Sequence, residues 1–292
     1  MDTSPANITE LVARTLDRFL PADVRAIADH VLKQHKHTAA ILAYGSCLRD
    51  VSTDDTLIDL YLLMERDQDV SSNPLSRLAA RLVPPNVYYA EMNEAGRTLR
   101  CKYAVVTLAA FAERMRPETT NPYFWARFSQ PSALVYASND RNRGRVIAAV
   151  VDAVTTMYRA ALASAPPHSE APDIWRRGFE ETYRTELRPE AGHRAGEIVA
   201  ANETFYADAA RFIGKPEVSA VSWKQRRLAG KLLSLARLLK AAFTFEGGAS
   251  YAAWKIERHS GRKIVLSPWQ KRHPVLTGFI LLPRLLWRGA IK

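Results

Sequence analysis

The stretch ILAYGSCLRDVSTDDTLIDLYLLM, Ile41 to Met64, decides how this chain is read. An apolar run ends in Tyr44-Gly45-Ser46, and a second run, Leu57-Ile58-Asp59-Leu60-Tyr61-Leu62-Leu63, carries a single acid, Asp59, with twelve residues between it and Ser46. β-formers dominate both runs, so the pattern predicts a strand, a tight turn and a second strand. Gly45 lacks the Cβ that would keep a ligand off the backbone. Ser46 and the amides after it can donate hydrogen bonds to phosphate oxygens. A carboxylate held on a strand beside such a turn suits Mg²⁺, which bridges acidic oxygens and substrate phosphates.

This pairing predicts a site for nucleotidyl transfer. The usual pattern for that chemistry reads acid, apolar, acid on the second strand, and here the second position is Tyr61. The plainer alternative is a strand-turn-strand with a surface acid.

At 292 residues the chain is long for one compact core, so two domains, or one with a helical extension, are expected. Hydrophobic content of 47% and charged content of 24% are those of a globular protein. Cys47 and Cys101 lack metal-ligand spacing, and no disulfide is expected of them. The first twenty residues carry acids throughout and do not read as a secretory signal, which places the protein in the cytoplasm. The histidines show no spacing for a metal or for a nucleophile with its base.

Working outward from the turn, residues 7–35 read as one or two helices. Asn86 to Tyr89 and Leu99 to Val106 read as strands joined at Asn93-Glu94-Ala95-Gly96, and Ser132 to Tyr136 as another. From Arg141 the periodicity turns helical, interrupted by a loop around Pro166-Pro167. The expected organisation is an α/β catalytic domain over 1–140, a helical domain over 141–220 and a basic amphipathic tail over 221–292.

The net charge of +11 is unevenly placed. From Val221 to Lys292 fifteen Lys or Arg face two acids, whereas the first 220 residues hold 26 Lys or Arg and 28 acids. WKQRRLAGKLLSLARLLKAAF sets Leu228, Leu232, Leu235, Leu239 and Ala242 at helical spacing among Lys224, Arg227, Lys231, Arg237 and Lys240. Val275 to Leu282, a proline, then Leu285, Leu286 and Trp287 form a stretch too interrupted to span a bilayer, which takes about 20 apolar residues. It suits an interface, with Arg284, Arg288 and Trp287 against anionic lipid. A core helix with a solvated basic face is the alternative. No nucleic-acid-binding motif is present, and no nucleic acid is expected as a partner.

Taken in order, several segments resemble the mitochondrial translocator assembly and maintenance protein family, which are peripheral membrane CDP-diacylglycerol synthases (phosphatidate cytidylyltransferases); the chain looks like a bacterial-type relative. Tyr44-Gly45-Ser46 and Ile58-Asp59-Leu60 fit that family's Gly-Ser turn and its acid. Val87-Tyr88-Tyr89 and Cys101-Lys102-Tyr103-Ala104-Val105-Val106 fit its paired tyrosines and Lys-Tyr strand. Arg127 and Pro131, then Tyr183, Glu186 and Arg188, then Lys240 through Thr244, fit later elements. The chain departs from the pattern at Ala104, which stands for Gly, at Gln130, which stands for Lys, at Glu186, which stands for Asp, and in a short region from Asp67 to Pro85. These departures leave the acceptor more open than the reaction class.

The resemblance implies an α/β nucleotidyltransferase-like domain with a small mixed sheet, then a helical domain for which a winged-helix form is one option, then the tail. It implies joining of CTP to a lipid phosphate, phosphatidate first, giving CDP-diacylglycerol and pyrophosphate. The cofactor is Mg²⁺ on Asp59, with Glu186 as a further ligand or as a partner of Arg188. Nucleotide contacts fall to Tyr44, Gly45, Ser46, Lys102 and Arg127, with Asp59 and Lys102 as the catalytic pair. Membrane contacts fall to Arg284, Trp287 and Arg288, at the inner face of the membrane. Other acceptors (a sphingoid or isoprenoid phosphate) and a non-catalytic nucleotide-binding scaffold remain as alternatives, with a template-independent polymerase acting on RNA behind them.

Overall fold

A computed structural model describes residues 4–48, 57–94, 96–186, 191–214, 221–244, 267 and 269–270. It holds a mixed five-stranded sheet with helices on both faces, an α/β architecture. Strands β1 (Thr38–Tyr44), β2 (Leu57–Met64), β3 (Asn86–Glu94), β4 (Arg97–Thr107) and β5 (Ala133–Ala137) lie in the order β3-β4-β2-β1-β5. Pairing is antiparallel except for β2 with β4, which run parallel. A parallel pair needs a long return, which here passes through α3 (Pro74–Leu82) and the edge strand β3.

The central strands are buried on both sides, which is why Thr38 to Tyr44 reads as a continuous apolar run without alternation. One face meets α2 (Ala22–Gln34), whose Val24, Ile27, Ala28 and Val31 pack with Ile41, Leu60, Leu62 and Val105. Cys47 and Cys101 are buried and unbonded to each other on this side, and burial pushes the Cys101 thiol up to about 12.

The opposite face presents Leu42, Tyr44, Tyr61, Leu63, Ala104 and Val106. It is covered by α1 (Ile8–Leu16), α4 (Leu108–Glu113), α5 (Trp125–Phe128) and α6 (Asp140–Leu162), and beyond them α7 (Ala171–Arg184), α8 (Ala191–Ala200) and α9 (Glu203–Ile213). The hydrophobic core runs without interruption from this face through α6 to Trp175, Phe179 and Tyr206. Asn139 caps α6 by accepting from the amide of Asn142, which explains why the helix starts where it does.

Helix α10 (Trp223–Thr244) docks through its polar side chains. Arg226 is fully buried over the Trp125 ring and donates to the carbonyls of Pro117 and Thr119. Arg227 pairs at 3.1 Å with the buried Glu181 of α7. A Cβ on Gly230 would sit 2.7 Å from the Thr185 carbonyl, so only glycine lets the two helices approach this closely. Leu228 and Leu232 therefore face outward, 67% and 62% exposed. No helix among the described residues is long and apolar enough to cross a membrane.

Lys240 donates to the carbonyls of Val83 and Pro85 at 2.7 and 2.8 Å. Burial, with the positive charge of Arg237 nearby, lowers its ammonium to about 8 from an ordinary 10.5. Between those values the folded chain has released a proton that the unfolded chain keeps, so this lysine makes stability rise with pH across that window. Lys240→Met is expected to flatten the rise in urea midpoint between about pH 8 and pH 10; an unchanged slope would remove Lys240 as its source.

Candidate functional site

Residues of three neighbouring strands build the site. Tyr44, the last residue of β1, pairs across the antiparallel ladder with Asp59 of β2, and Asp59 pairs in register with Lys102 of β4. Paired residues project to the same side of a sheet. Tyr44, Asp59 and Lys102 thus form one row, on the face covered by the helices.

Lys102 Nζ lies 3.2 Å from Asp59 Oδ1, and both side chains are partly open to solvent, at 31% and 24%. The Tyr44 hydroxyl points at the same carboxylate oxygen from 3.5 Å. It also accepts from Arg127 of α5 at 2.7 Å. Burial raises the Tyr44 phenol well above its ordinary value, the Arg127 charge opposes that, and the Asp59 charge adds to it. The phenol stays protonated, so it can donate toward Asp59 while accepting from Arg127.

Gly45 follows directly, with φ of +87°. That left-handed conformation is strained for any L side chain. A Cβ there would point at Asp59 Oδ2 from 3.5 Å, into the space between turn and carboxylate. Ser46 then opens a short 3₁₀ turn, Ser46–Leu48, and is exposed.

The row opens into a cleft of about 360 Å³ between the sheet and α5 and α7. Tyr44, Gly45, Ser46, Asp59, Lys102 and Arg127 all line it, as does Glu186 just past the end of α7. The structure thus gathers every predicted catalytic, nucleotide and metal residue around one space. Arg188, Arg284, Trp287 and Arg288 lie outside the described residues.

Sequence reasoning missed three contributors. Tyr123 packs its ring against the Arg127 guanidinium at 4.8 Å and against that of Arg237 at 3.9 Å. Burial alone would raise its phenol, but the two guanidiniums outweigh burial and hold it below the ordinary value. Thr182 and Arg194 line the cleft from α7 and α8. Tyr123 follows Asn121-Pro122 in an irregular segment with no period to mark it, and Arg194 is one of several arginines on its part of the chain.

Tyr61 sits where a second acid would stand, two residues after Asp59, but it is fully buried. Its ring is 5.0 Å from Phe128 and 5.6 Å from Tyr44, edge-on to both. The position is part of the aromatic core and does not line the cleft.

Among the described residues no group of three His, Cys, Asp or Glu side chains forms a metal cage. Magnesium carried with a nucleotide needs only one or two protein carboxylates, since phosphates and water fill the other positions. Asp59, with Glu186 on the same cleft, fits that requirement and would not fit a self-sufficient cage. The surroundings of the carboxylate are cationic through Lys102, Arg127 and Arg194, which suits a polyanion.

The chain matches no protein-family model and no curated protein. The site is therefore read from its own chemistry.

Proposed function

We propose that the chain is a Mg²⁺-dependent cytidylyltransferase with a nucleotidyltransferase-type α/β core, joining CTP to a lipid phosphate, phosphatidate first. The observation that carries this reading is the row Tyr44-Asp59-Lys102 beside the left-handed Gly45 turn, opening on a cationic cleft. Carboxylate, phosphate-sized turn and cations are the three parts that transfer of a phosphorus group requires.

The triphosphate lies over Gly45-Ser46, where the backbone can approach it without a Cβ in between. Asp59 and Glu186 would hold the magnesium that accompanies the triphosphate, and the ion would supply neutralisation of phosphate charge. Lys102 exchanges its contact with Asp59 for a phosphate oxygen, and Arg127, held flat between the Tyr44 and Tyr123 rings, faces the same charge. An oxygen of the lipid phosphate forms a bond to the α-phosphorus while the bond to the bridging oxygen breaks, and pyrophosphate leaves. The attacking phosphate is already an anion at neutral pH, so no general base is needed, and the protein contributes position and charge.

The acceptor's chemistry places the protein on the cytoplasmic side of a membrane as a peripheral protein. The outward leucines of α10 and the basic tail support this. A second reading, a nucleotide-binding scaffold without turnover, is favoured by one observation, the burial of Tyr61 in place of a second strand carboxylate.

Incubation of the full chain with α-labelled CTP, Mg²⁺ and vesicles carrying different lipid phosphates separates these readings. The expected result is label in the lipid and unlabelled pyrophosphate in solution. Nucleotide binding without turnover on any acceptor would leave the scaffold.

A further inference from the structure

A second cavity, of about 520 Å³, lies between the end of α3, the segment 113–121 and α10. Leu82, Val83, Pro84, Phe124 and Leu233 give it apolar walls, and Arg237 stands among them. Arg114 and Arg116 also line it, opposed by Glu113 and Glu118, so arginines outnumber acids there. Arg114 lies 3.8 Å from Glu113, while Arg237 also feels the charge of Glu186 from the cleft side and Arg116 that of Asp152.

Arg237 connects this cavity to the cleft. Its guanidinium stacks at 3.9 Å on Tyr123, and the other guanidinium on that ring, Arg127, belongs to the cleft wall. The two spaces thus adjoin across one tyrosine, with a cation on each side. The Nη1 group of Arg237 is buried and has no hydrogen-bond partner among the described residues. A buried guanidinium nitrogen in that condition is costly until an acceptor reaches it.

The mouth of the cavity is apolar. Leu82 is 70% exposed, and Leu75 and Leu78, at 76% and 55%, share its face of α3 at helical spacing. Helix α10 contributes Leu233 to the cavity wall, and its exposed Leu228 and Leu232 lie on another side of that helix. A row of exposed leucines on the helix that borders the cavity marks a surface that meets something apolar.

Resting on the cytidylyltransferase reading, we propose that this second cavity is the acceptor site: the terminal phosphate of a membrane lipid meets Arg237 beside Tyr123, and an acyl chain runs out between Leu82 and Leu233 to the exposed leucines of α3. The nucleotide and the lipid would then approach the α-phosphorus from opposite sides of Tyr123. The exposed leucine row of α3 would lie in the outer layer of the bilayer, with Arg77 and Arg81 on the same helix near its anionic headgroups.

The test uses the full chain with phosphatidylcholine vesicles containing a minority of phosphatidate that carries a photoactivatable diazirine in one acyl chain, with adducts mapped by mass spectrometry. Adducts are expected on Leu82 to Pro84 and on Leu233. They should fall about tenfold in Arg237→Gln, and to a smaller degree in Leu82→Ser, whose exposure spares the fold. A phosphatidylcholine bearing the same diazirine should label these positions weakly. Adducts confined to other surfaces, including residues 274–292 alone, or equal labelling by the two lipids, would overturn the assignment. Adducts at the cavity in a chain that never turns over CTP would keep the lipid site and sink the reaction. Turnover with adducts elsewhere would do the reverse.

Discussion

Asp59→Asn is expected to lower the proposed cytidylyl transfer by about a hundredfold or more while the chain stays folded. The carboxylate is the only acid in the row that faces the turn, and the neutral amide keeps its shape while losing the charge that holds a cation against phosphates. Removing a single group aimed at charge in a phosphoryl transition state costs roughly 10²-fold to 10³-fold. The effect on stability is much smaller. Asp59 and Lys102 are both partly solvated, and an exposed pair of this kind contributes on the order of 1 kcal/mol or less. A steady-state assay with the denaturation midpoint measured alongside separates the two. Transfer at the wild-type rate would remove Asp59 from the chemistry, and a collapse of the midpoint would make its role structural.

Tyr61→Asp restores the acid-apolar-acid order of the general pattern and is expected to unfold the chain, with no gain of a metal ligand. Tyr61 is fully buried among Tyr44, Phe111, Phe124 and Phe128, with ring centroids 5.0 to 6.3 Å away. Loss of a buried aromatic ring costs about 3–5 kcal/mol, and a carboxyl left there without partners adds a further penalty of about 1–3 kcal/mol. The sum approaches the whole stability of an ordinary domain, about 5–15 kcal/mol. Tyr61→Phe keeps the ring and should cost about 1 kcal/mol or less. Urea titration of the two variants checks this. A folded Tyr61→Asp chain with tightened Mg²⁺ binding would show that the position reaches the cleft after all.

The element pattern was legible where local signals were strong. The apolar runs around Tyr44-Gly45-Ser46 become β1 and β2, and Asn93 to Gly96 joins β3 to β4. The pairing of Asp59 with Lys102 was not legible from spacing. It depends on β2 lying parallel to β4, a contact across 43 positions whose register no local signal sets. Lys102 came forward only through its likeness to a family motif.

Tail residues were harder to read because periodicity reports which side chains share a face and not which face is buried. Helix α10 turns Arg226, Arg227 and Lys240 toward the body and leaves Leu228 and Leu232 outside, against the usual sense of an amphipathic surface helix. Each inward base meets a carbonyl or Glu181, partners that only the tertiary structure supplies. Tyr123 escaped for the same reason, since its importance comes from two arginines 4 and 114 positions away.

The proposed reaction requires a magnesium-triphosphate seated between Asp59 and the Gly45 turn. A crystal structure of the full chain with Mn²⁺ and a non-hydrolysable CTP analogue tests it most directly, because the anomalous signal of manganese marks the ion independently of the nucleotide. The predicted result is an anomalous peak in contact with the Asp59 carboxylate and phosphate oxygens along Gly45-Ser46. A peak away from Asp59, with the triphosphate bound elsewhere, would contradict it.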